Sequence, residues 1–207
     1  MEIVQERYVR YSLVALYPAV DFVVVSEAKL REGCPKQYPV LQGLGETIIL
    51  VDPNAREFIQ IDKDRCQFRS DKPDTVQPEL AQAVLSHLLS RLGASPTAVG
   101  ANYHYHFKLS GAAVGVIQTL LTARTELLHS IAGEDMLACG VRFVYPMGHR
   151  RHDLRMEALV PPRPQEDLWC HLNIHLASGD IDALVSGYND ARSYLRQIVA
   201  RTASAAV

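Results

Sequence analysis

Three segments of the chain alternate apolar and polar side chains with a period of two, and this alternation constrains the fold more than any other feature. It runs through residues 101–109, 153–160 and 168–176. Successive side chains of a β-strand point to opposite faces of the sheet, so each segment predicts a strand with one apolar and one polar face. Strands joined by short turns favour antiparallel pairing. The segments together predict one antiparallel sheet, covered on its apolar face and open on the other.

Three other segments repeat apolar residues at helical spacing. Residues 80–92 carry leucine or valine at every fourth position, between Pro78 near the start and Gly93 at the end. Similar stripes run through 112–132 and 180–201. We therefore predict an α+β fold, in which three amphipathic helices pack on one face of an antiparallel sheet and the other face is polar.

The chain has 207 residues, a length that suits one domain, and no low-complexity linker divides it. We therefore predict a single α+β domain over residues 1–207. Its predicted parts, in order, are a β-rich region 1–70, a helix 77–92, a strand 98–109, a helix 112–132, strands within 136–177 and a helix 180–201.

Composition and charge exclude several classes of protein. The net charge of −2 argues against a nucleic-acid binder that relies on a broad basic surface. The start of the chain has acidic residues where a signal peptide needs basic ones, and no apolar run approaches the ~20 residues of a membrane span. The four cysteines form no C-x-x-C pair. We expect a cytoplasmic protein that interacts with neither membrane nor nucleic acid.

The polar positions of two predicted strands carry an unusual set of side chains. The predicted binding face consists of Asn102, His104, His106, Trp169, His171, Asn173 and His175. These side chains share one surface only if the two strands are neighbours, and the sequence does not give the strand order.

Three interpretations of these histidines remain open. His104 and His106 have the spacing that puts two imidazoles on one face, which suits a divalent metal such as zinc, iron or nickel. His171 and His175 also share a face, but at ~3.3 Å per residue they lie about 13 Å apart, which is too far for both to bind one metal ion without a third ligand between them. A histidine could instead act as an acid–base catalyst near neutral pH, although no G-x-S-x-G motif accompanies it. Finally, histidine, asparagine and tryptophan suit a surface that binds another protein.

A second, weaker pattern surrounds the predicted turn between two strands near residue 148. Its members are Arg142, His149, Arg150 and Arg151. This basic group is a candidate for binding an anion, and it is equally typical of a solvated hairpin tip.

The ending of the chain, a strand followed by a long amphipathic helix over Leu168–Ile198, resembles the architecture of the SecB-like export chaperones. The resemblance covers topology over about the last half of the chain and matches no family motif, so it assigns no functional residue. It implies a chaperone-like protein that binds other proteins.

We therefore expect a non-enzymatic protein-binding or assembly module that uses the polar and aromatic sheet face and needs no cofactor. Its partner would be another protein or a second copy of itself, and we expect a homo-oligomer. The alternative is a small metal-dependent or histidine-based enzyme on the same face, with a divalent metal on His104 and His106.

Overall fold

The computed structural model describes residues 1–21, 26–44, 46–121, 140–159 and 162–206. Nine strands form one sheet in the order β2-β3-β4-β5-β1-β6-β9-β8-β7, and every neighbouring pair is antiparallel. The strands are β1 (Ile3–Leu16), β2 (Val40–Leu44), β3 (Thr47–Asp52), β4 (Glu57–Asp62), β5 (Arg65–Ser70), β6 (Ala98–Leu109), β7 (Gly140–Met147), β8 (Arg150–Ala158) and β9 (Asp167–Leu176).

Strand β1 lies at the centre of the sheet and joins its two halves. It pairs with β5 on one side and with β6 on the other. The register with β6 shifts between Tyr8 and Arg10, where an irregularity interrupts the alternation of side chains. Short turns connect β3 to β4, β4 to β5 and β7 to β8. Asp52 closes the turn between β3 and β4 by accepting hydrogen bonds from the backbone N–H groups of Asn54 and Ala55.

The described residues contain five α-helices and one short 3₁₀ turn. The helices are α1 (Glu27–Arg31), α2 (Pro78–Leu92), α3 (Ala113–Leu120), α4 (Ile181–Val185) and α5 (Tyr188–Ala205), and the 3₁₀ turn is Pro73–Thr75. Gly93 ends α2 in the left-handed conformation, with φ of +66°. None of the helices in the described ranges is long and apolar enough to cross a membrane.

The prediction of an antiparallel sheet with several helices is confirmed, but the described residues hold more helices than the predicted three. Helix α1 falls inside the region 1–70 that we expected to be β-rich, where Ser26 caps it by accepting a hydrogen bond from the N–H of Lys29. Helix α3 corresponds to the first part of the predicted helix 112–132. Residues 122–132 of that prediction, and 136–139 of the predicted strands, lie outside the described residues.

The predicted helix 180–201 is two helices, and the break has a physical cause. A continuous helix would pair the carbonyl of Ala183 with the N–H of Gly187, but that carbonyl accepts hydrogen bonds from the Arg150 guanidinium and the Ser186 hydroxyl instead. The N–H of Gly187 turns to the carbonyl of Leu184. The apolar stripe keeps its spacing across the break, so the pattern alone did not reveal it.

Alternate strand residues and the helices share one hydrophobic core. On β6 the side chains of Tyr103, Tyr105 and Phe107 are at most 1% exposed. Helix residues from the same core include Leu85 of α2 and Leu195 of α5. Burial of a large apolar side chain stabilises a fold by ~1.5–3 kcal/mol, so this core fixes which strand residues face inward. The register of the sheet then fixes which residues alternate with them.

Candidate functional site

Strands β6 and β9 are direct neighbours, so the two groups of polar residues predicted from the sequence meet on one surface. Their register pairs Asn102 with Asn173, His104 with His171 and His106 with Trp169. All of these side chains are half-buried, whereas the residues between them on both strands are buried. We call this side of the sheet the histidine face: it consists of the strand side chains that share the side on which His104 lies.

Three aromatic rings form the centre of the histidine face. The imidazoles of His104 and His171 stack, with centroids 4.2 Å apart and planes inclined by 12°. The indole of Trp169 lies against both, with its centroid 5.9 Å from that of His104 and 5.7 Å from that of His171. This imidazole–indole cluster presents a compact π-surface on a rigid pair of central strands.

Asn102 fixes one side of the cluster through its side-chain amide. Its Oδ1 accepts hydrogen bonds from Nδ2 of Asn173 at 2.7 Å and from Nε2 of His171 at 3.1 Å. Its Nδ2 donates to Oγ of Ser12 on β1, at 3.2 Å. This network assigns the proton of neutral His171 to Nε2, since the amide oxygen can only accept. Ser12 was not among the predicted site residues.

Both stacked histidines are neutral near pH 7. Burial, followed by the charges of neighbouring groups that include His171 and Arg10, lowers the pKa of His104 to about 3. Burial, and then the nearby Arg155 guanidinium, lowers the pKa of His171 to about 4. An efficient general acid or base has a pKa near the working pH. This pair is therefore poorly suited to acid–base catalysis at neutral pH.

The two outer histidines lie at either end of the cluster along the strands. His106 pairs with Trp169 and His175 pairs with Gly100 at the opposite end of the strands. Burial is the main cause that lowers the pKa of each, and the Arg151 guanidinium adds to the effect at His175.

His104 and His106 share the histidine face, as predicted, and the ring that stacks on His104 is that of His171. The stacking disfavours a metal ion shared by His104 and His171 and does not concern the pair His104 and His106. The lone pair of an imidazole nitrogen lies in the plane of its ring, so two stacked rings cannot both point to one ion at ~2.0–2.1 Å. Over the described ranges, no group of three or more histidine, cysteine, aspartate or glutamate side chains is placed to hold a metal ion.

An aspartate holds two arginines on each flank of the histidine face. On one flank, Asp71 accepts hydrogen bonds from Arg10 at 2.8 Å and from Arg69 at 2.7 and 3.0 Å. On the other, Asp153 binds Arg142 through both carboxylate oxygens and lies 3.6 Å from Arg155. The sequence predicted only Arg142 of these residues, and it assigned that arginine to a different group.

The structure does not bring together the four residues of the predicted anion site. Arg142 is held by Asp153 on the histidine face, and Arg151 lies on the same face beside His175. Arg150 points to the opposite side of the sheet, where it donates to the carbonyl of Ala183. Period-two alternation on β8 separates Arg150 from Arg151, and His149 lies in the turn before them.

The histidine face has a charge opposite in sign to that of the whole chain. Its basic side chains are Arg7, Arg10, Arg65, Arg69, Lys108, Arg142, Arg151 and Arg155. Its acidic side chains on the described strands are Asp62, Asp153, Glu157 and Asp167, and Asp71 follows β5 directly and bonds to two of its arginines. Among the described residues the face thus has three more basic than acidic groups, in a chain whose net charge is −2.

Comparison with known proteins assigns no family to this chain. No family model matches the sequence, and no curated protein matches it. Among solved structures, the chain is similar to one described as Methanococcus jannaschii TBP, with 9% sequence identity over 97% of this chain and 98% of the other and a TM-score of 0.35. That TM-score is too low to establish a common fold, and nothing about that protein is carried over to this chain.

Proposed function

We propose that this chain is a non-enzymatic binding module whose histidine face docks an acidic surface of a partner protein. The observation that carries this proposal is the excess of positive charge on the face that also presents the half-buried ring of Trp169. A positive patch favours encounter with a negative one and disfavours wrong partners. Tryptophan and arginine are also the residues that most often dominate the free energy of protein association.

The positions of the helices support the proposal that the histidine face is free to bind a partner. Helix α2 contacts β5, α3 contacts β7 and β8, α4 contacts β6, and α5 contacts β1. They do so through side chains of the hydrophobic core, including Leu85, Val116 and Leu195. On this account the helices cover one face of the sheet, and the polar face is left for a partner.

The rigidity of the face also supports a docking role. Asn102 hydrogen-bonds to His171 and Asn173. Asp71 bonds to Arg10 and Arg69, and Asp153 bonds to Arg142, so these side chains are ordered before any partner arrives. Ordering a flexible side chain at an interface costs ~0.5–1.5 kcal/mol, so side chains that are already ordered favour tighter binding.

The charge argues for a different protein rather than a second copy docked face to face. A two-fold dimer contact repeats the same patch on both subunits, so it would set the arginines of one copy against those of the other. Juxtaposed like charges disfavour such a contact. We therefore place the expected homo-oligomer contact on another surface of the chain.

An acidic protein also fits the face better than nucleic acid does. Binding to phosphates draws on lysine and arginine side chains that are free to replace counterions. Here Arg10, Arg69, Arg142 and Arg155 already have carboxylate partners. The rest of the molecule is acidic overall and would repel a long polyanion.

Fluorescence anisotropy with a labelled glutamate-rich peptide that contains phenylalanine tests the proposal. We expect saturable binding that weakens as salt rises, while the lysine counterpart of the peptide does not bind. Reversing one charge of the face with Arg155→Glu should weaken binding by ~10-fold or more. The matched control Arg201→Glu changes an exposed arginine of α5 and should leave the affinity unchanged.

Two results would overturn the proposal. One is equal binding of the glutamate-rich and lysine-rich peptides. The other is tighter binding of a DNA duplex than of the acidic peptide at the same salt concentration, which would assign the basic face to nucleic acid.

A further inference from the structure

A pocket of about 450 Å³ lies on the side of the sheet opposite the histidine face, between the β7–β8 hairpin and the start of α5. Pockets that bind small molecules are typically ~300–1,000 Å³ in volume and mostly apolar. Met147, Ile174, Ala191 and the ring of Tyr194 supply apolar surface to this one. The polar groups at its wall are few, and two of them carry the inference.

The first is His152, a buried imidazole without a hydrogen-bond partner. His152 is 4% exposed, and neither its Nδ1 nor its Nε2 has a hydrogen-bond partner among the described residues. The rings of Tyr145 and Tyr194 meet it edge-on, at centroid distances of 5.5 and 5.9 Å. Their hydroxyl groups form a hydrogen bond with each other, at 2.5 Å, and none with the imidazole.

An imidazole left without partners in a buried site loses the hydrogen bonds that it makes in water, which is unfavourable. Buried polar groups in native proteins are almost always satisfied, so each exception calls for an explanation. His152 is one of the residues that line the pocket. Burial and the nearby Arg150 charge both lower its pKa, so the ring is neutral and offers one donor and one acceptor.

The second group is Arg150, a cation without an acidic partner. Arg150 lines the same pocket and forms no ion pair within the described part of the chain. One of its nitrogens donates to the carbonyl of Ala183, which fixes the guanidinium in place. Gly187 makes room for it, since a Cβ at that position would lie 2.5 Å from Nη1 of Arg150. The remaining donors of the guanidinium suit a carboxylate.

Two other ionisable residues line the pocket. Asp190 is exposed to solvent, which screens its charge, and His149 lies in the hairpin turn. The fixed cation is therefore Arg150, set beside a neutral imidazole and an apolar wall.

We propose that this pocket binds a small organic acid. The carboxylate pairs with the guanidinium of Arg150, the imidazole of His152 completes the hydrogen bonds to the polar end of the ligand, and the apolar body packs on Met147, Ile174 and Tyr194. This site is independent of the histidine face, because it lies on the other side of the sheet.

Binding of benzoate, hexanoate and uncharged benzamide, followed by NMR of the isotope-labelled full chain, tests this site. We expect saturable shifts with both acids, confined to signals of the pocket that include His152 and Tyr194. Benzamide should bind at least ~10-fold more weakly than benzoate, since it lacks the charge that Arg150 recognises. Arg150→Gln should abolish the preference for benzoate, and Arg201→Gln should preserve it.

The comparison of benzoate with benzamide in the unaltered protein keeps the test decisive even if Arg150→Gln fails to fold. Equal affinity of the two probes would overturn the proposal, as would the absence of saturable binding for both acids. Saturable shifts that map outside the pocket would overturn it as well. His152→Asn gives a second check, because it should weaken the binding of benzoate while a thermal melt reports whether the fold is retained.

Discussion

His104 and His171 stack across the central strands β6 and β9, with their imidazole centroids 4.2 Å apart. The stack keeps both rings neutral, because burial opposes a charge on either of them and each charge would repel the other. The titrations of the two rings are therefore coupled, so protonation of one ring disfavours protonation of the other.

The stacked pair predicts a loss of stability in mild acid. In the unfolded chain each histidine has a pKa of ~6.5. In the folded chain the pKa is lowered to about 3 for His104 and about 4 for His171. As the pH falls below ~6.5, the two histidines bind protons in the unfolded state but stay neutral in the folded state. The free energy of unfolding therefore decreases. The contribution is at most ~1.4 kcal/mol per pH unit for each ring, and partial exposure reduces it.

Urea denaturation between pH 7 and pH 4.5 measures this effect. The double variant His104→Gln, His171→Gln should show a flatter dependence of unfolding free energy on pH than the unaltered chain. Gly43→Ala, which removes no ionisable group and places a Cβ where it meets no atom within 4 Å, should keep the original slope. An unchanged slope in the double variant would contradict the assignment of the low pKa values to this pair.

Asn102 connects three strands, and Asn102→Ala should destabilise the fold. The change removes the partner of Ser12, His171 and Asn173, and the Ser12 hydroxyl lies in a residue only 3% exposed. Leaving buried polar groups unsatisfied costs ~1–3 kcal/mol, so we expect a loss of this size in urea denaturation. Lys108→Ala, at an exposed position of the same strand, is the control. A loss in Asn102→Ala no larger than in the control would show that the network adds no stability.

Asp71→Asn should increase the affinity of the histidine face for acidic probes. Burial raises the pKa of Asp71, but hydrogen bonds from Arg69 and Arg10 outweigh it and hold the pKa below its ordinary value, so the carboxylate is charged at neutral pH. Neutralising it releases two arginines and adds one positive charge to the face. We expect a several-fold gain in affinity for the glutamate-rich peptide, measured by anisotropy at low salt. A decrease would indicate that the ordering of the arginines matters more than their charge.

Gly179 lies between β9 and α4, where a side chain has no room. A Cβ at this position would overlap the backbone carbonyl of Pro96, just before β6. Gly179→Ala should therefore force the chain apart beside the β6–β9 pair and cost ~1–3 kcal/mol of unfolding free energy. Gly43→Ala is a matched control, since a Cβ there meets no atom within 4 Å. Equal melting temperatures for the two variants would contradict the close approach of Gly179 to the carbonyl of Pro96.

The sequence predicted the composition of the histidine face but not its flanks. Alternation along 101–109 and 168–176 assigned His104, Trp169 and His171 to one side, because the period of a strand is a local property. Ser12 and Arg10 come from β1, which lies about 90 residues away from β6 in the chain. Strand order is set by the assembled sheet, so no local pattern could place them.

Local irregularities hid the remaining features. The register shift between Tyr8 and Arg10 breaks the alternation that would have assigned β1 residues to faces. At the break before Gly187, the carbonyl of Ala183 accepts a hydrogen bond from Arg150, a residue distant in sequence. The unpartnered state of His152 could not be predicted either, since it depends on the hydrogen bond that Tyr145 and Tyr194 make with each other.

Trp169 is the only tryptophan of the chain, so its fluorescence reports directly on the centre of the histidine face. Titration of the unaltered protein with the unlabelled glutamate-rich peptide should shift or quench this emission saturably. The same affinity should appear in anisotropy, and Trp169→Ala should weaken it by ~10-fold or more. Phe143→Ala, which truncates an exposed aromatic ring away from the face, should not weaken it. Binding that leaves the emission of Trp169 unchanged, or that survives Trp169→Ala, would contradict the account, because the partner would then dock elsewhere.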